Sequence, residues 1–108
     1  MNQKDKYISL IVDQIRKEQP EKIILFGSYA YGTPDYDSDI DLLIIKNISE
    51  SELRDFRIGI KMKLWELIKK WNVPIDIIVD NQERIDQRIQ DGDMFYKEII
   101  TRGNVIYA

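Results

Sequence analysis

Apolar side chains recur along this chain with two different periods, one typical of helices and one typical of strands. In four segments they return every three or four residues, which places them on one face of an α-helix. Ser49 and Glu52 precede the longest segment at the spacing of a capping box, and the apolar stripe behind them extends to Trp71. The pattern predicts helices over about residues 6–18, 50–71, 83–90 and 94–102.

Short apolar runs separate these helices. Short runs rich in isoleucine, leucine and valine are typical of strands that are buried in a sheet, and a single acid, Asp76, interrupts the third run. These runs predict strands over residues 22–26, 39–46, 75–79 and 105–107. The letters GSYAYGTPD behind the first run combine a serine with two glycines and a proline, which predicts a tight turn and a short helix.

The order of these elements indicates the fold class. A helix precedes two strands that are joined by the turn, and the long helix, a third strand, two helices and a last strand follow. We therefore expect an α/β (α+β) fold, in which a small mixed β-sheet carries helices packed mainly on one face. At 108 residues the chain is expected to be a single domain, residues 1–108.

Composition excludes several kinds of chemistry. The chain has no cysteine and no histidine, which removes thiol nucleophiles, cysteine-ligated zinc and histidine acid-base catalysis. Its net charge of -3 gives no general attraction to nucleic acid, so direct binding of nucleic acid is not expected. No apolar run is long enough for a membrane span and the N-terminus MNQKDKYISL lacks a signal-peptide pattern, so a cytoplasmic location without membrane contact is expected.

Two aspartates at the start of the second predicted strand are the best candidates for chemistry. Side chains alternate along a strand, so Asp39 and Asp41 in SDIDLLII point the same way, about 6.5 Å apart along the backbone. Ten residues separate Asp39 from the Gly27-Ser28 pair. This pair suits a phosphate, because Gly27 lets the backbone come close and Ser28 offers its hydroxyl. Asp76 is a single acid within the third strand, in PIDIIV.

Carboxylates from neighbouring strands predict a site for Mg²⁺, with Mn²⁺ as an alternative. Asp39 and Asp41 would hold the metal bound to a triphosphate, while Asp76 would complete the acceptor side and take a proton from an incoming hydroxyl. Other interpretations stay open. An isolated pair of aspartates is usually solvated, although the buried run behind this pair argues against that, and Asp76 could be a structural hydrogen-bond acceptor. Asp35 and Asp37 are expected to be a solvated flank.

These segments together resemble a known superfamily. LFGSYAYG, then SDIDLLI, then PIDIIV is similar to the nucleotidyltransferase fold of the DNA polymerase beta type, and especially to its minimal bacterial and archaeal branch, the MNT proteins. The resemblance implies that Gly27 and Ser28 bind the nucleotide, and that Asp39, Asp41 and Asp76 bind metal and carry catalysis. The chain departs from the family at Tyr31, where many members have an arginine. Arg84, Arg88 and Lys97 are candidates for a cation that replaces this arginine.

The resemblance also implies a function. MNT proteins act beside a HEPN-type toxin, an RNase, so the expected reaction moves AMP from ATP onto a hydroxyl of that toxin, most simply of a tyrosine, and the protein is the antitoxin. A first alternative is a nucleotide-binding or non-catalytic antitoxin that neutralises its partner by occlusion. A second is an enzyme that transfers a nucleotide to a small molecule such as an antibiotic.

Overall fold

Helices and strands alternate along the described part of the chain, which comprises residues 3–31 and 39–108 of the computed structural model. The helices are α1 (Gln3–Ile15), α2 (Glu50–Trp71), α3 (Gln82–Gln90) and α4 (Met94–Arg102). The strands are β1 (Lys22–Phe26), β2 (Ile40–Ile45), β3 (Ile75–Asp80) and β4 (Asn104–Tyr107). Single turns of 3-10 helix follow α1, at Arg16–Glu18, and β1, at Gly27–Tyr29. Within these ranges, no helix has both the length and the apolar character that a membrane span needs.

The four predicted helices and four predicted strands are confirmed, with small shifts at their ends. The first helix begins earlier than predicted, at Gln3, and β2 is shorter by one residue at each end, so that Asp39 lies just outside the strand. The hydroxyl of Ser49 donates to Glu52 Oε1 at 2.6 Å and caps no backbone N–H group, so these two residues meet without forming a capping box.

The four strands of the described residues form a mixed sheet in the order β3-β2-β1-β4. β1 pairs antiparallel with both of its neighbours, whereas β2 and β3 are parallel. Parallel neighbours need a long crossover connection, and α2 supplies it. The predicted α/β class with a small mixed sheet is therefore confirmed.

Alternate side chains of the strands pack into two apolar clusters, one on each face of the sheet. On one face, strand residues such as Ile23 and Leu42 pack with residues of α1 and α2. On the other face, a second cluster joins the strands to α3 and α4; its buried members are Ile24, Phe26, Leu43, Ile45, Ile85, Tyr96 and Ile99.

The helices thus cover both faces of the sheet, and the two longer ones lie together on one face, in agreement with the expectation that helices pack mainly on one face. The two shorter helices, α3 and α4, cover the other face. The physical reason is that the strands are apolar on both sides, so Ile24 and Leu43 would be left in water without a second layer. Ile85 and Ile99 provide that layer.

The two long helices are joined to each other by a buried tyrosine. The Tyr7 hydroxyl of α1 donates to the carbonyl oxygen of Val73 at 2.9 Å, and its ring centroid lies 5.2 Å from that of Trp71, the last residue of α2. Burial raises the pKa of Tyr7 to about 12, so the phenol stays protonated and keeps this hydrogen bond.

A buried carboxylate joins β3 to the two short helices. Asp80 is 4% exposed. Its Oδ1 accepts hydrogen bonds from Arg84 Nε at 2.8 Å and from the Asn81 amide at 2.9 Å, and its Oδ2 accepts one from the Tyr96 hydroxyl at 2.7 Å. Burial raises the pKa of Tyr96, as does its bond to Asp80, so the phenol remains a donor. These donors compensate for taking a charge out of water.

Replacing Asp80 with alanine should lower the free energy of unfolding by about 2–4 kcal/mol, because the Tyr96 hydroxyl and the Arg84 guanidinium lose their acceptor. Asp55→Ala, on the exposed surface of α2, is the matched control and should change stability by less than about 0.5 kcal/mol. Urea unfolding followed by circular dichroism measures both. Equal stability of the two variants would contradict a structural role for Asp80.

Candidate functional site

The register of β1, β2 and β3 brings two of the predicted acids together. Asp76 of β3 lies opposite Asp41 of β2, and Asp41 also lies opposite Phe26, the last residue of β1. Side-chain alternation places both carboxylates on the face that α3 and α4 cover, which is the face of Phe26. Asp39 lies just before β2 and is exposed.

Negative charge concentrates around Asp41. Partial burial raises the pKa of the Asp41 carboxyl above its ordinary value, and the nearby negative charges of Asp76 and Asp39 raise it further. A side-chain hydrogen bond with Asp76 acts in the same direction. Each of these effects disfavours the charged form of Asp41, which a bound cation would instead favour.

The acidic residues of the predicted metal site lie near one another but are not arranged as a complete site. Across residues 3–31 and 39–108, no group of three or more acidic, histidine or cysteine side chains is already arranged to hold a metal ion. The chemistry of the donors nevertheless fits Mg²⁺ or Mn²⁺, because carboxylate oxygens are the ligands these ions prefer and Asp41 already experiences the charges of Asp39 and Asp76. Metal binding by these residues stays a prediction.

Gly27 is required at the end of β1 for two reasons. Its φ of +74° lies in the left-handed region, which side chains rarely allow. A Cβ atom at this position would also collide with Asp41 Oδ2. The absent side chain therefore leaves room for the Asp41 carboxylate. Close approach of the Gly27 backbone to a phosphate stays a prediction.

Ser28 lies in the 3-10 turn that follows β1, which the sequence predicts as a tight turn with a short helix. The turn is held by hydrogen bonds to the Gly27 carbonyl oxygen from the amides of Ala30 and Tyr31, both at 3.0 Å. Ser28 is half-buried, so part of its surface is accessible from solvent. The predicted role of Ser28 in phosphate binding stays a prediction, and Asp35 and Asp37 lie outside the described residues.

A cation that sequence reasoning missed lies against this turn. The guanidinium carbon of Arg102, at the end of α4, lies 4.1 Å from the centroid of the Tyr31 ring. Two of the candidates named from the sequence are engaged in other ion pairs, and the third is exposed. Arg84 pairs with Asp80 and Glu50, Arg88 pairs with Asp93, and Lys97 is exposed on α4. No local pattern in the sequence connects Arg102 with Tyr31, because 70 residues separate them.

Comparison with known proteins identifies the family. The family model described as "Nucleotidyltransferase domain" matches residues 6–103 of the chain. This chain belongs to the nucleotidyltransferase domain family. The match includes all four predicted helices and every candidate site residue, so the family assignment and the site analysis concern the same part of the molecule.

Two curated relatives come from Methanocaldococcus jannaschii. MJ0604, whose assigned activity is protein adenylyltransferase, is 36% identical over 87 residues, which is 81% of this chain and 78% of that protein. MJ0141, with the same assigned activity, is 31% identical over 68 residues, 63% of each protein. These relatives agree with the family model.

A solved structure shares the fold. It is described as the crystal structure of a toxin-antitoxin with AMP-PNP, and it matches with a TM-score of 0.54 at 20% sequence identity. The match covers 99% of this chain and 74% of the other. At this identity the likeness concerns the arrangement of helices and strands.

Replacing Gly27 with alanine should lower the free energy of unfolding by about 1–3 kcal/mol, because the added methyl group meets Asp41 and the backbone is in the left-handed region. Gly59→Ala is the matched control, since nothing lies within 4 Å of a Cβ atom at that position of α2. The control should leave stability unchanged or raise it by up to about 1 kcal/mol. Thermal unfolding measures both variants, and a stable Gly27→Ala protein would contradict the crowding at Asp41.

Replacing Asp41 with asparagine removes a charge that burial and the neighbouring acids disfavour. The change should stabilise the metal-free protein at neutral pH by about 0.5–1 kcal/mol, a small gain because solvent screens this partly exposed position. The folded-state pKa of Asp41 is raised above the unfolded value of 3.8. The stability that protonated Asp41 contributes is therefore complete below that value and is lost as pH rises through the folded pKa. The advantage of Asp41→Asn should accordingly shrink as pH falls toward about 4.

Urea unfolding in the presence of a chelator, at about pH 7 and about pH 4, measures this effect. Asp55→Asn, an exposed position on α2, is the control for a change of net charge alone. A variant Asp41→Asn that is less stable than the wild type at both pH values would show that the carboxylate makes a favourable contact instead.

Proposed function

We propose that this protein transfers AMP from ATP to a hydroxyl group of a partner protein and thereby acts as the antitoxin of a toxin-antitoxin pair. The proposed acceptor is a tyrosine of a HEPN-type toxin, and the reaction takes place in the cytoplasm. The observation that carries the proposal is the register that sets Asp41 opposite Asp76 and beside the end of β1, where Gly27 begins the turn.

The proposed reaction is a nucleotidyl transfer. The acceptor oxygen forms a bond to the α-phosphorus of ATP, the bond from that phosphorus to the bridging oxygen of the β-phosphate breaks, and pyrophosphate leaves with the electron pair. The acceptor hydroxyl loses its proton. Asp76 is exposed beside Asp41, so it is open to an incoming hydroxyl and is the proposed proton acceptor.

Asp39, Asp41 and Asp76 are the residues proposed to hold Mg²⁺ or Mn²⁺. The bound ion would neutralise negative charge on the triphosphate and lower the pKa of the acceptor hydroxyl. The concentration of acidic charge around Asp41 supports this assignment, since all three residues contribute to it. The carboxylate of Asp41 keeps its place because the neighbouring Gly27 has no side chain.

Gly27 and Ser28 are proposed to bind the phosphates. The left-handed backbone at Gly27 turns the chain away from the sheet immediately beside Asp41, and Ser28 follows with its hydroxyl. Backbone amides at the start of such a turn lack partners within the turn and suit phosphate oxygens.

The relatives support a protein as the acceptor. MJ0604 and MJ0141 both carry the assigned activity of protein adenylyltransferase, and the solved structure with the same fold contains a toxin, an antitoxin and AMP-PNP, an analogue of ATP. A toxin partner and ATP as the nucleotide are the simplest combination of these properties.

A second function is that the protein silences its partner by occlusion without transferring a nucleotide. The solved structure with the same fold contains a toxin together with an antitoxin, and a complex of this kind would also suit occlusion.

Intact mass spectrometry of the HEPN-type partner, after incubation with this protein, ATP and Mg²⁺, tests the proposal. The partner should gain the mass of one or more AMP groups, and tandem fragmentation should place them on tyrosine. Asp41→Asn and Asp76→Asn should reduce transfer by at least about 100-fold, because each removes a carboxylate next to the reacting groups. Asp55→Asn is the control for the loss of one acidic residue outside the site.

The same samples separate the two functions. The RNase activity of the partner is measured before and after incubation with each variant. Inhibition that needs ATP and disappears in Asp41→Asn supports transfer. Inhibition that persists with an unchanged partner mass would exclude transfer and establish occlusion.

A further inference from the structure

We infer that Arg102 contacts the triphosphate of the bound nucleotide and that Tyr31 holds Arg102 in position. The inference rests on the proposed function, because it adds a binding residue for the same substrate. It depends on three observations: where Arg102 lies, what its guanidinium contacts, and which charges surround it.

The sheet places Arg102 at the same end as the acidic residues. Asn104 and Val105 of β4 lie opposite Leu25 and Ile24 of β1, so the chain before β4 runs beside the end of β1. Gly103 confirms this closeness, because a Cβ atom there would crowd Ile24 and the Leu25 carbonyl oxygen. The end of α4 therefore lies where β1 passes into the Gly27 turn. Asp41 is close to this point, because it lies opposite Phe26, the last residue of β1.

The Tyr31 ring is a fixed support for the guanidinium. The amide of Tyr31 donates to the Gly27 carbonyl oxygen at 3.0 Å, and its side chain packs against the apolar cluster that contains Phe26. Arg102 lies over this ring with its guanidinium carbon 4.1 Å from the centroid. Contact through an aromatic face leaves the N–H groups at the edge of a guanidinium available, and these groups match the geometry of phosphate oxygens.

The charges around Arg102 allow it to exchange its present partner for a phosphate. Arg102 Nη1 pairs with Glu98 Oε1 at 2.9 Å, and the two side chains are 56% and 48% exposed. Exposed pairs of this kind contribute little stability, so a phosphate can replace the carboxylate at low cost. A triphosphate entering a site with three carboxylates needs permanent positive charge, which arginine supplies at any physiological pH.

The alternative is that the stack only fastens the end of α4 to the turn. A structural role would affect binding of every nucleotide alike, or would affect folding alone. Contact with the β- or γ-phosphate would instead distinguish ATP from AMP. The ratio of the two affinities is therefore the decisive quantity.

Isothermal titration calorimetry with Mg²⁺ should measure the dissociation constants of ATP and AMP for the wild type and for Arg102→Gln. Affinity for ATP should fall roughly 10-fold or more, the effect of losing a charged hydrogen bond, while affinity for AMP should change less than about 2-fold. Arg16→Gln is the matched control, because Arg16 is 59% exposed, pairs with Asp13 and lies in the 3-10 turn before β1. The control should leave both affinities unchanged.

Tyr31 is a positioning residue and needs its own test. Tyr31→Phe keeps the aromatic face and should retain the affinity for ATP, whereas Tyr31→Leu should lose affinity for ATP as Arg102→Gln does. Combining Tyr31→Leu with Arg102→Gln should add little further loss, because both changes remove the same contact. In the transfer assay, the KM for ATP should rise more than kcat falls. Circular dichroism checks that each variant is folded.

The outcomes separate this inference from the proposed function. Wild-type protein that binds ATP and transfers AMP, with Arg102→Gln binding ATP equally well, would overturn the inference and leave the function standing. Equal losses for ATP and AMP would also overturn it, since they indicate structural support. A wild type that binds no ATP would overturn both the function and the inference.

Discussion

The parallel pairing of β2 and β3 forces two like charges to share one end of the sheet, and the rest of the structure is arranged around this constraint. Asp41 and Asp76 occupy opposed register positions, while the residues on either side of them, such as Ile40 and Ile77, are buried. Slipping the register by one position would separate the acids, but it would also turn the apolar residues to the wrong face. The free energy of burying the core therefore holds the carboxylates together.

Two aspartates of the sheet, Asp80 of β3 and Asp41 of β2, lie in opposite surroundings. Asp80 is buried and satisfied by Arg84, Asn81 and the Tyr96 hydroxyl, so it stabilises the fold. Asp41 is partly buried, and its pKa is raised first by this burial and then by the charges of Asp76 and Asp39. A residue whose charge is compensated within the fold has a structural role, whereas one whose charge is opposed by its neighbours is suited to an external cation. This contrast distinguishes the candidate site from an ordinary polar network.

The turn after β1 connects the acids with the second layer of helices. Gly27 gives Asp41 its space, its carbonyl oxygen accepts hydrogen bonds from the turn, and Tyr31 at the end of the turn meets Arg102 of α4. A substitution at one of these residues is therefore expected to shift the others from their places. The family match over residues 6–103 includes the whole arrangement, from the first helix to the residue after α4.

The sequence alone determined the elements and the family. The spacing of apolar residues predicted every helix and strand that the structure describes, including the limits of β1 and α4, because helical and strand periods are local properties of the chain. The segments around Gly27, Asp39 and Asp76 indicated a nucleotidyltransferase, and the family model agrees. Asp41 and Asp76 were named as one site from their positions in strands. The tertiary structure alone decided that these strands are neighbours in register.

Three features could not be obtained from the sequence. The division of helices between both faces depends on which helix covers Ile24 and Leu43, and the role of Asp80 depends on Tyr96 reaching back to β3. The cation beside the turn is Arg102 and not Arg84 or Arg88. Each feature joins residues that are distant along the chain and are brought together only when the sheet forms. The periodicity of apolar residues along the chain cannot predict such contacts, because the packing of the whole fold decides them.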